Sequence, residues 1–122
     1  MKKKEVLPKR GEVYIINFDP SIGSEIKKTR PAVILQNNIS NTYSPTTIVA
    51  AITSHKKEKK RYPTEVFIES KEAHLENDSR ILLNQIQTID KARLIKKIGT
   101  VKSKTLEKID SALMISLELT EI

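Results

Sequence analysis

Cysteine is absent from the 122 residues of the chain, and histidine occurs only at His55 and His74. The lack of cysteine excludes disulfide bonds and cysteine-ligated zinc. Two histidines are too few for a histidine-rich metal site. A chain of this length can still bury a hydrophobic core as one domain. We therefore expect a fold that forms without covalent or metal cross-links.

Long apolar segments are absent too. The longest uninterrupted apolar run, Ile48 to Ile52, is far shorter than a membrane-spanning helix requires. The basic start of the chain, residues 1–4, is not followed by the apolar region of a signal peptide. With no cysteine and no export signal, we expect a cytoplasmic protein that does not enter a membrane.

Basic residues outnumber acidic ones by 22 to 15, which gives the chain a net charge of +7. Such a charge favours a polyanionic partner, which could be a nucleic acid or an acidic protein segment. Solubility alone explains the charge of many small basic domains equally well. Charge by itself therefore leaves the function open.

Apolar periodicity predicts a mainly β domain over residues 10–122, after a disordered basic segment at residues 1–9. The predicted strands are Gly11–Phe18, Ala32–Leu35, Ile48–Ile52, Thr64–Glu69, Arg80–Leu83 and Leu94–Val101. Polar stretches at 19–29, 37–45 and 56–61 are expected to be loops, and Asp90 is expected to cap one helical turn at 91–93. Many short strands indicate a small barrel-like sheet.

The C-terminal segment has helical rather than alternating periodicity. Ser103 is the expected N-cap, and an apolar stripe follows at Leu106, Ile109, Leu113 and Leu117. Three further apolar residues lie off this stripe: Met114, Ile115 and Leu119. Because a monomer would leave them exposed, they favour burial at a second surface, such as a dimer interface.

Polar residues at the ends of apolar strands are the candidates for chemistry. Arg30 precedes Pro31, which restricts its backbone to extended conformations, and a fixed guanidinium can bind a phosphate in two-pronged fashion. Thr53 and His55 follow a buried strand and share one of its faces. Each residue also has a structural alternative: a surface salt bridge for Arg30, packing within the strand for Thr53, and a solvated strand end for His55.

Basic and amide side chains near these strand ends are candidates for binding RNA. Lys27 and Lys28 precede Arg30, and Lys56 and Lys57 begin a basic run after His55, where they could contact phosphates. Asn84 and Gln85 end another apolar run, and their amides could recognise unpaired bases. The alternatives are a solvated charged loop for the lysines and bonds to a neighbouring loop for the amides.

Taken together, these residues resemble the MazF/PemK toxins of toxin–antitoxin modules. The resemblance runs from about Lys9 to the C-terminus, with order and spacing kept. The matching segments are 10–14 (RGEVY), 23–25 (GSE), 30–31 (RP), 36–37 (QN), 48–53 (IVAAIT), 78–79 (DS), 85–86 (QI) and 88–91 (TIDK).

The resemblance implies an SH3-like β-barrel with a C-terminal helix, the plasmid-toxin fold shared by the MazF, Kid and CcdB toxins, usually as a homodimer. It implies a sequence-specific endoribonuclease, or mRNA interferase, that needs no metal or other cofactor and inhibits translation and growth. Its antitoxin would cover the RNA groove with an acidic C-terminal segment. By the same resemblance Arg30 and Thr53 are catalytic, and Ser24, Glu25, Asn37 and Gln85 bind substrate.

Two segments differ from the usual family pattern. Residues 26–29 (IKKT) replace a loop that is often glycine-rich, and Asn84 stands where close relatives carry an acidic residue. Both differences concern the preferred RNA sequence rather than the chemistry. Without a metal, the expected nucleophile is the 2′-hydroxyl of the RNA, which leaves a 2′,3′-cyclic phosphate and a 5′-hydroxyl. A guanidinium stays protonated, so the residues alone do not identify the group that removes the 2′ proton.

Two other functions are compatible with a small basic barrel. One is a binding-only toxin of the same fold that traps gyrase, but such toxins depend on a C-terminal tryptophan and this chain has none. The other is an inactive nucleic-acid-binding barrel. Such domains rely on aromatic stacking, whereas aromatic residues make up only 4% of this chain.

Overall fold

Six antiparallel strands form one continuous sheet in the computed structural model, which describes residues 6–26, 28–56 and 60–120. The strands are β1 (Glu12–Asn17), β2 (Thr29–Ile34), β3 (Thr46–Ser54), β4 (Glu65–Ile68), β5 (Ser79–Asp90) and β6 (Leu94–Thr100). They lie in the order β4-β5-β3-β2-β1-β6. The described part also contains helices α1 (Asn38–Tyr43) and α2 (Ser103–Ser116), and 3-10 turns at Ser70–Glu72 and Lys91–Arg93.

The predicted mainly β fold with a C-terminal helix is confirmed. Within the described residues the edge strands β4 and β6 are not paired with each other, so the barrel-like sheet stays open. Asp90 caps the turn at 91–93, as predicted, by accepting a hydrogen bond from the Ala92 N–H at 2.8 Å. Helix α2 packs beside β4 and β5.

Alternating side chains give the sheet two hydrophobic faces. On the face covered by α2, the core includes Val13, Val33 and Ile109, each fully buried. On the opposite face, Tyr14 and Ile16 pack with neighbours from the other strands. Burial, and then the nearby Glu12 carboxylate, raises the pKa of Tyr14.

Helix α1 is absent from the sequence-based prediction, which placed a loop at residues 37–45. It forms because polar groups hold it: Asn37 caps its first turn by accepting from the Ser40 N–H at 2.8 Å. Asn41 is fully buried and accepts from the Thr47 hydroxyl at 2.7 Å. The ammonium of buried Lys91 donates to the Asn41 carbonyl. These contacts replace the apolar stripe that normally identifies a helix.

Two predictions about α2 need correction. Lys102, not Ser103, is the N-cap, and no side chain caps the helix there. Instead, the Lys102 N–H donates to the Glu72 carboxylate at 3.0 Å, which places a negative charge at the helix N-terminus. Leu117 lies beyond the end of the helix and is 51% exposed, so it does not extend the buried stripe.

The N-terminal boundary is only partly described. Residues 1–5 of the predicted disordered segment lie outside the described residues. Within residues 6–9, Pro8 is buried, and the Lys9 N–H donates to the Glu12 carboxylate at 2.6 Å. Contacts with the domain therefore begin before residue 10.

Candidate active site

Arg30 and Thr53 lie side by side on neighbouring strands. The antiparallel register pairs Ala32 of β2 with Ala51 of β3, so Arg30 and Thr53 face each other two residues further along. The distance from the Arg30 Nη1 to the Thr53 Oγ1 is 3.4 Å. Both residues are half-buried at the same end of the sheet. The two predicted catalytic residues are thus brought together, close enough to contact one small anion.

The segment before Arg30 is held by its own hydrogen bonds. Lys28 adopts a left-handed backbone with φ of 67°. Its N–H donates to the Asp19 carboxylate at 2.8 Å, and its carbonyl accepts from the Phe18 N–H at 3.0 Å. These bonds return the loop to the start of β2, where Pro31 restricts the backbone of the residue before it, Arg30. The backbone that carries Arg30 is therefore fixed from both sides.

A cavity of about 370 Å³ adjoins the pair. Its charged and polar lining includes Arg30 and Thr53 from the strands. It also includes His74, Glu76 and Asn77, which lie in the loop after the 3-10 turn at 70–72. His74 has a positive φ of 54°, and its Nδ1 lies 2.7 Å from the Ile98 carbonyl. Because a carbonyl only accepts, Nδ1 carries the proton in this contact. In a neutral ring, Nε2 is then an acceptor.

Arg80 continues the row of cross-strand neighbours. It is paired with Thr53 on one side and with Phe67 of β4 on the other. Its Nη1 donates to the Glu65 carboxylate at 2.8 Å, and the two side chains are only 12% and 11% exposed. Arg30, Thr53, Arg80 and Phe67 therefore lie at one level across four strands.

Asn84 and Gln85 lie where the ladder between β3 and β5 is interrupted. Ala50 pairs with Ile86, but Ile52 pairs with Ile81. Ala51 alone thus lies opposite the four residues 82–85, which form an extended bulge. Asn84 is exposed, and both amides line a cavity of about 260 Å³ together with Arg80 and Glu65. The two side chains predicted to recognise bases therefore lie in a segment that is not paired regularly with β3.

Comparison with known proteins identifies the family. The model of the PemK-like, MazF-like toxins of type II toxin–antitoxin systems matches residues 9–117. The chain belongs to this family. It is 47% identical over 116 residues to the endoribonuclease EndoA of Bacillus subtilis, covering 95% of this chain and 99% of the relative.

Solved structures share the fold. A crystal structure of MazF from Deinococcus radiodurans is 24% identical, with a TM-score of 0.78 over 93% of this chain and 98% of that chain. A mycobacterial endoribonuclease in complex with its cognate antitoxin is 23% identical, with a TM-score of 0.77 over 94% and 99%. At these identities the structures support the fold alone. The resemblance inferred from the sequence is confirmed.

The remaining predicted site residues of this toxin occupy different surroundings. Ser24, Glu25 and Lys28 are exposed in the loop between β1 and β2, and the Glu25 carboxylate accepts from the Ile22 N–H at 2.6 Å. Lys56 is exposed and His55 is half-buried just after β3. Asn37 caps α1 and does not line the cavity beside Arg30. Lys27 and Lys57 lie outside the described residues.

Sequence reasoning missed several residues near the pair. His74, Glu76 and Asn77 come from a loop with no periodic pattern, and Arg80 was assigned only to a strand. Residue spacing in the sequence does not show which residues become neighbours across strands. The matching Asp78-Ser79 segment was the only signal in this region.

Within residues 6–26, 28–56 and 60–120, no helix is long and apolar enough to span a membrane.

Proposed function

We propose that this toxin cuts single-stranded RNA at specific sequences, without a metal, through attack by the RNA's own 2′-hydroxyl. As a member of the family, 47% identical to an endoribonuclease, the chain is an endoribonuclease toxin of a type II toxin–antitoxin system. The proposal concerns how it cuts and which residues act. The observation that supports it is the 3.4 Å contact between Arg30 and Thr53 at the edge of an open cavity.

The geometry suits a cyclising cleavage. The 2′-hydroxyl gives up its proton as its oxygen bonds to phosphorus, the P–O5′ bond breaks, and the 5′ oxygen takes up a proton, so that protons balance overall. The products are a 2′,3′-cyclic phosphate and a 5′-hydroxyl. Negative charge develops on the phosphorus oxygens in the transition state, where the Arg30 guanidinium and the Thr53 hydroxyl can both donate to it. A preorganised charged donor contributes more than a neutral one.

Single-turnover cleavage of a short RNA in EDTA tests these roles. Arg30→Ala should lose about 100- to 1000-fold in rate, as expected for one preorganised donor, and Thr53→Ala somewhat less. Arg30→Lys should rescue little, because an ammonium lacks the planar two-pronged donor. Lys104→Ala removes one exposed positive charge from α2 and serves as the matched control with near-normal activity.

The substrate provides a second test. A 2′-deoxy nucleotide at the cleaved position should abolish cutting, and a kinase should phosphorylate the new 5′ ends without prior phosphatase treatment. Cleavage of the deoxy substrate would refute the proposed nucleophile. Full activity of a folded Arg30→Ala variant, checked by circular dichroism, would refute the assignment of the site.

For its partners, we propose a homodimer that is inhibited by the acidic C-terminal segment of its antitoxin. Met114, Leu117 and Leu119 are 43%, 51% and 68% exposed around the end of α2, which is more apolar surface than a monomer needs there. The net charge of +7 favours an acidic inhibitor as well as RNA. Light scattering at micromolar concentration should report about twice the 13.9 kDa chain mass, and a monomer would contradict the dimer.

A further inference from the structure

A separate cavity of about 280 Å³ lies on the β4 side of Arg30 and Thr53. It combines aromatic surface with positive charge and is not used by the proposed cleavage step. The lining residues are His55, Lys60, Arg61, Tyr62, Pro63, Glu65, Phe67 and Arg80. The volume is close to the lower end of small-ligand pockets.

Phe67 provides a flat apolar surface in this cavity. It is 37% exposed although it lies within a strand. The His55 ring meets it edge to face, with centroids 5.2 Å apart and planes at 78°. The Arg61 guanidinium lies 5.5 Å from the ring centroid. Aromatic rings and guanidinium planes are the groups on which proteins stack unpaired bases.

Arg80 and Glu65 form the polar wall of the cavity. Their ion pair is nearly buried, so its geometry is fixed. Donors and acceptors held in this way can bond the edge of a base.

The cavity lies within one nucleotide's reach of the cleavage site. Thr53, Arg80 and Phe67 are consecutive cross-strand neighbours, so Phe67 lies about two strand spacings, or ~10 Å, from Thr53. Alternation along the strands places Thr53 and His55 on the same face. An RNA strand with its scissile phosphate at Arg30 and Thr53 would therefore carry a neighbouring nucleotide to this cavity.

We propose that the cavity is a subsite for one unpaired RNA base next to the cleaved bond, stacked on Phe67 and Arg61 and bounded by the Arg80–Glu65 wall. The proposal rests on the proposed ribonuclease function. It adds a recognition position next to that of Asn84 and Gln85, whose cavity shares the Arg80–Glu65 pair. The enzyme would then select or hold its substrate at this nucleotide as well as at the bulge.

Base stacking can be measured directly with 2-aminopurine, whose fluorescence falls when it stacks. The probe is a short RNA containing the cleavage sequence mapped for the wild type, with a 2′-deoxy nucleotide at the cut and 2-aminopurine at each flanking position in turn. One flanking position should be quenched by the wild type. Phe67→Ala should lose this quenching and bind about 5- to 150-fold more weakly, whereas Phe67→Trp should retain both.

Matched variants distinguish the pocket from general effects. Tyr43→Ala removes another exposed aromatic, 84% accessible and outside this cavity, and should leave binding unchanged. Arg61→Ala should reduce quenching at the same position. If the wild type cuts RNA but Phe67→Ala binds and quenches normally, the subsite is refuted and the function stands. A wild type that neither binds nor cuts RNA refutes both.

Discussion

Gly99 offers a test of how tightly the loop carrying His74 is held against the sheet. A Cβ added at Gly99 would lie 2.8 Å from the Cα of Ala73 and 3.2 Å from its carbonyl carbon. Ala73 is fully buried, so the backbone cannot simply move aside. Overpacking of this kind costs about 1–3 kcal/mol. Replacing glycine by alanine recovers about 0.4–1 kcal/mol by restricting the unfolded chain.

We therefore expect Gly99→Ala to destabilise the protein by about 1–2 kcal/mol. For a chain of 122 residues, this lowers Tm by about 4–8 °C. Thermal unfolding should be compared at one fixed protein concentration, because an oligomer makes Tm concentration-dependent.

The double variant Gly99→Ala/Ala73→Gly provides the control. It removes the Ala73 Cβ, at 3.2 Å, but leaves the nearer Cα, so it should restore little stability. A Tm equal to or above that of the wild type in Gly99→Ala would show that the loop yields easily, and would refute the reasoning.

Substitutions at Asn84, Lys28 and Glu65 separate base recognition, phosphate binding and stability. Asn84→Glu should change the cleavage sequence, because a carboxylate accepts but cannot donate; sequencing the cut ends of a mixed RNA pool measures this, and an unchanged profile would assign Asn84 a structural role. Lys28→Gly is compatible with the positive φ at this position. It should reduce the slope of log affinity for RNA against log salt concentration by about 0.7, without altering the cleavage sequence. A new preferred sequence would show that the loop recognises bases. Glu65→Leu should lower the free energy of unfolding, measured in urea, by about 3–5 kcal/mol, because it leaves the charge of Arg80 buried and unpaired. Glu69→Leu breaks an exposed ion pair and should lower it by at most about 1 kcal/mol. Equal losses in the two variants would contradict the burial argument.

Much of the sheet could be predicted because its signals are local. Alternation in β1 and β4 and the apolar runs of β2 and β3 identify strands without knowledge of their partners. Strand β5 shows the limit. Only Arg80–Leu83 was predicted, but the strand continues to Asp90, through polar residues whose place depends on pairing with β3.

The sequence predicted two central residues of the candidate site, but not how the site is arranged in space. The resemblance named Arg30 and Thr53, and their contact follows once β2 and β3 are paired in register. Phe67 and His74 had no comparable signal. Each reaches its cavity through contacts with segments distant in sequence, such as the bond from His74 to Ile98, 24 residues away.

The bulge at residues 82–85 also affects how such an enzyme can diversify. Residues 79–81 pair with one end of β3, and residues 86–90 pair with its other end, so the four intervening residues are under no register constraint from β3. Leu82 and Leu83 are still held by β4 and by the core, but substitutions at Asn84 and Gln85 would alter the amides that face RNA without shifting the strands on either side. A lineage could thus acquire new target sequences through one short segment while the cleavage machinery beside Thr53 is inherited intact.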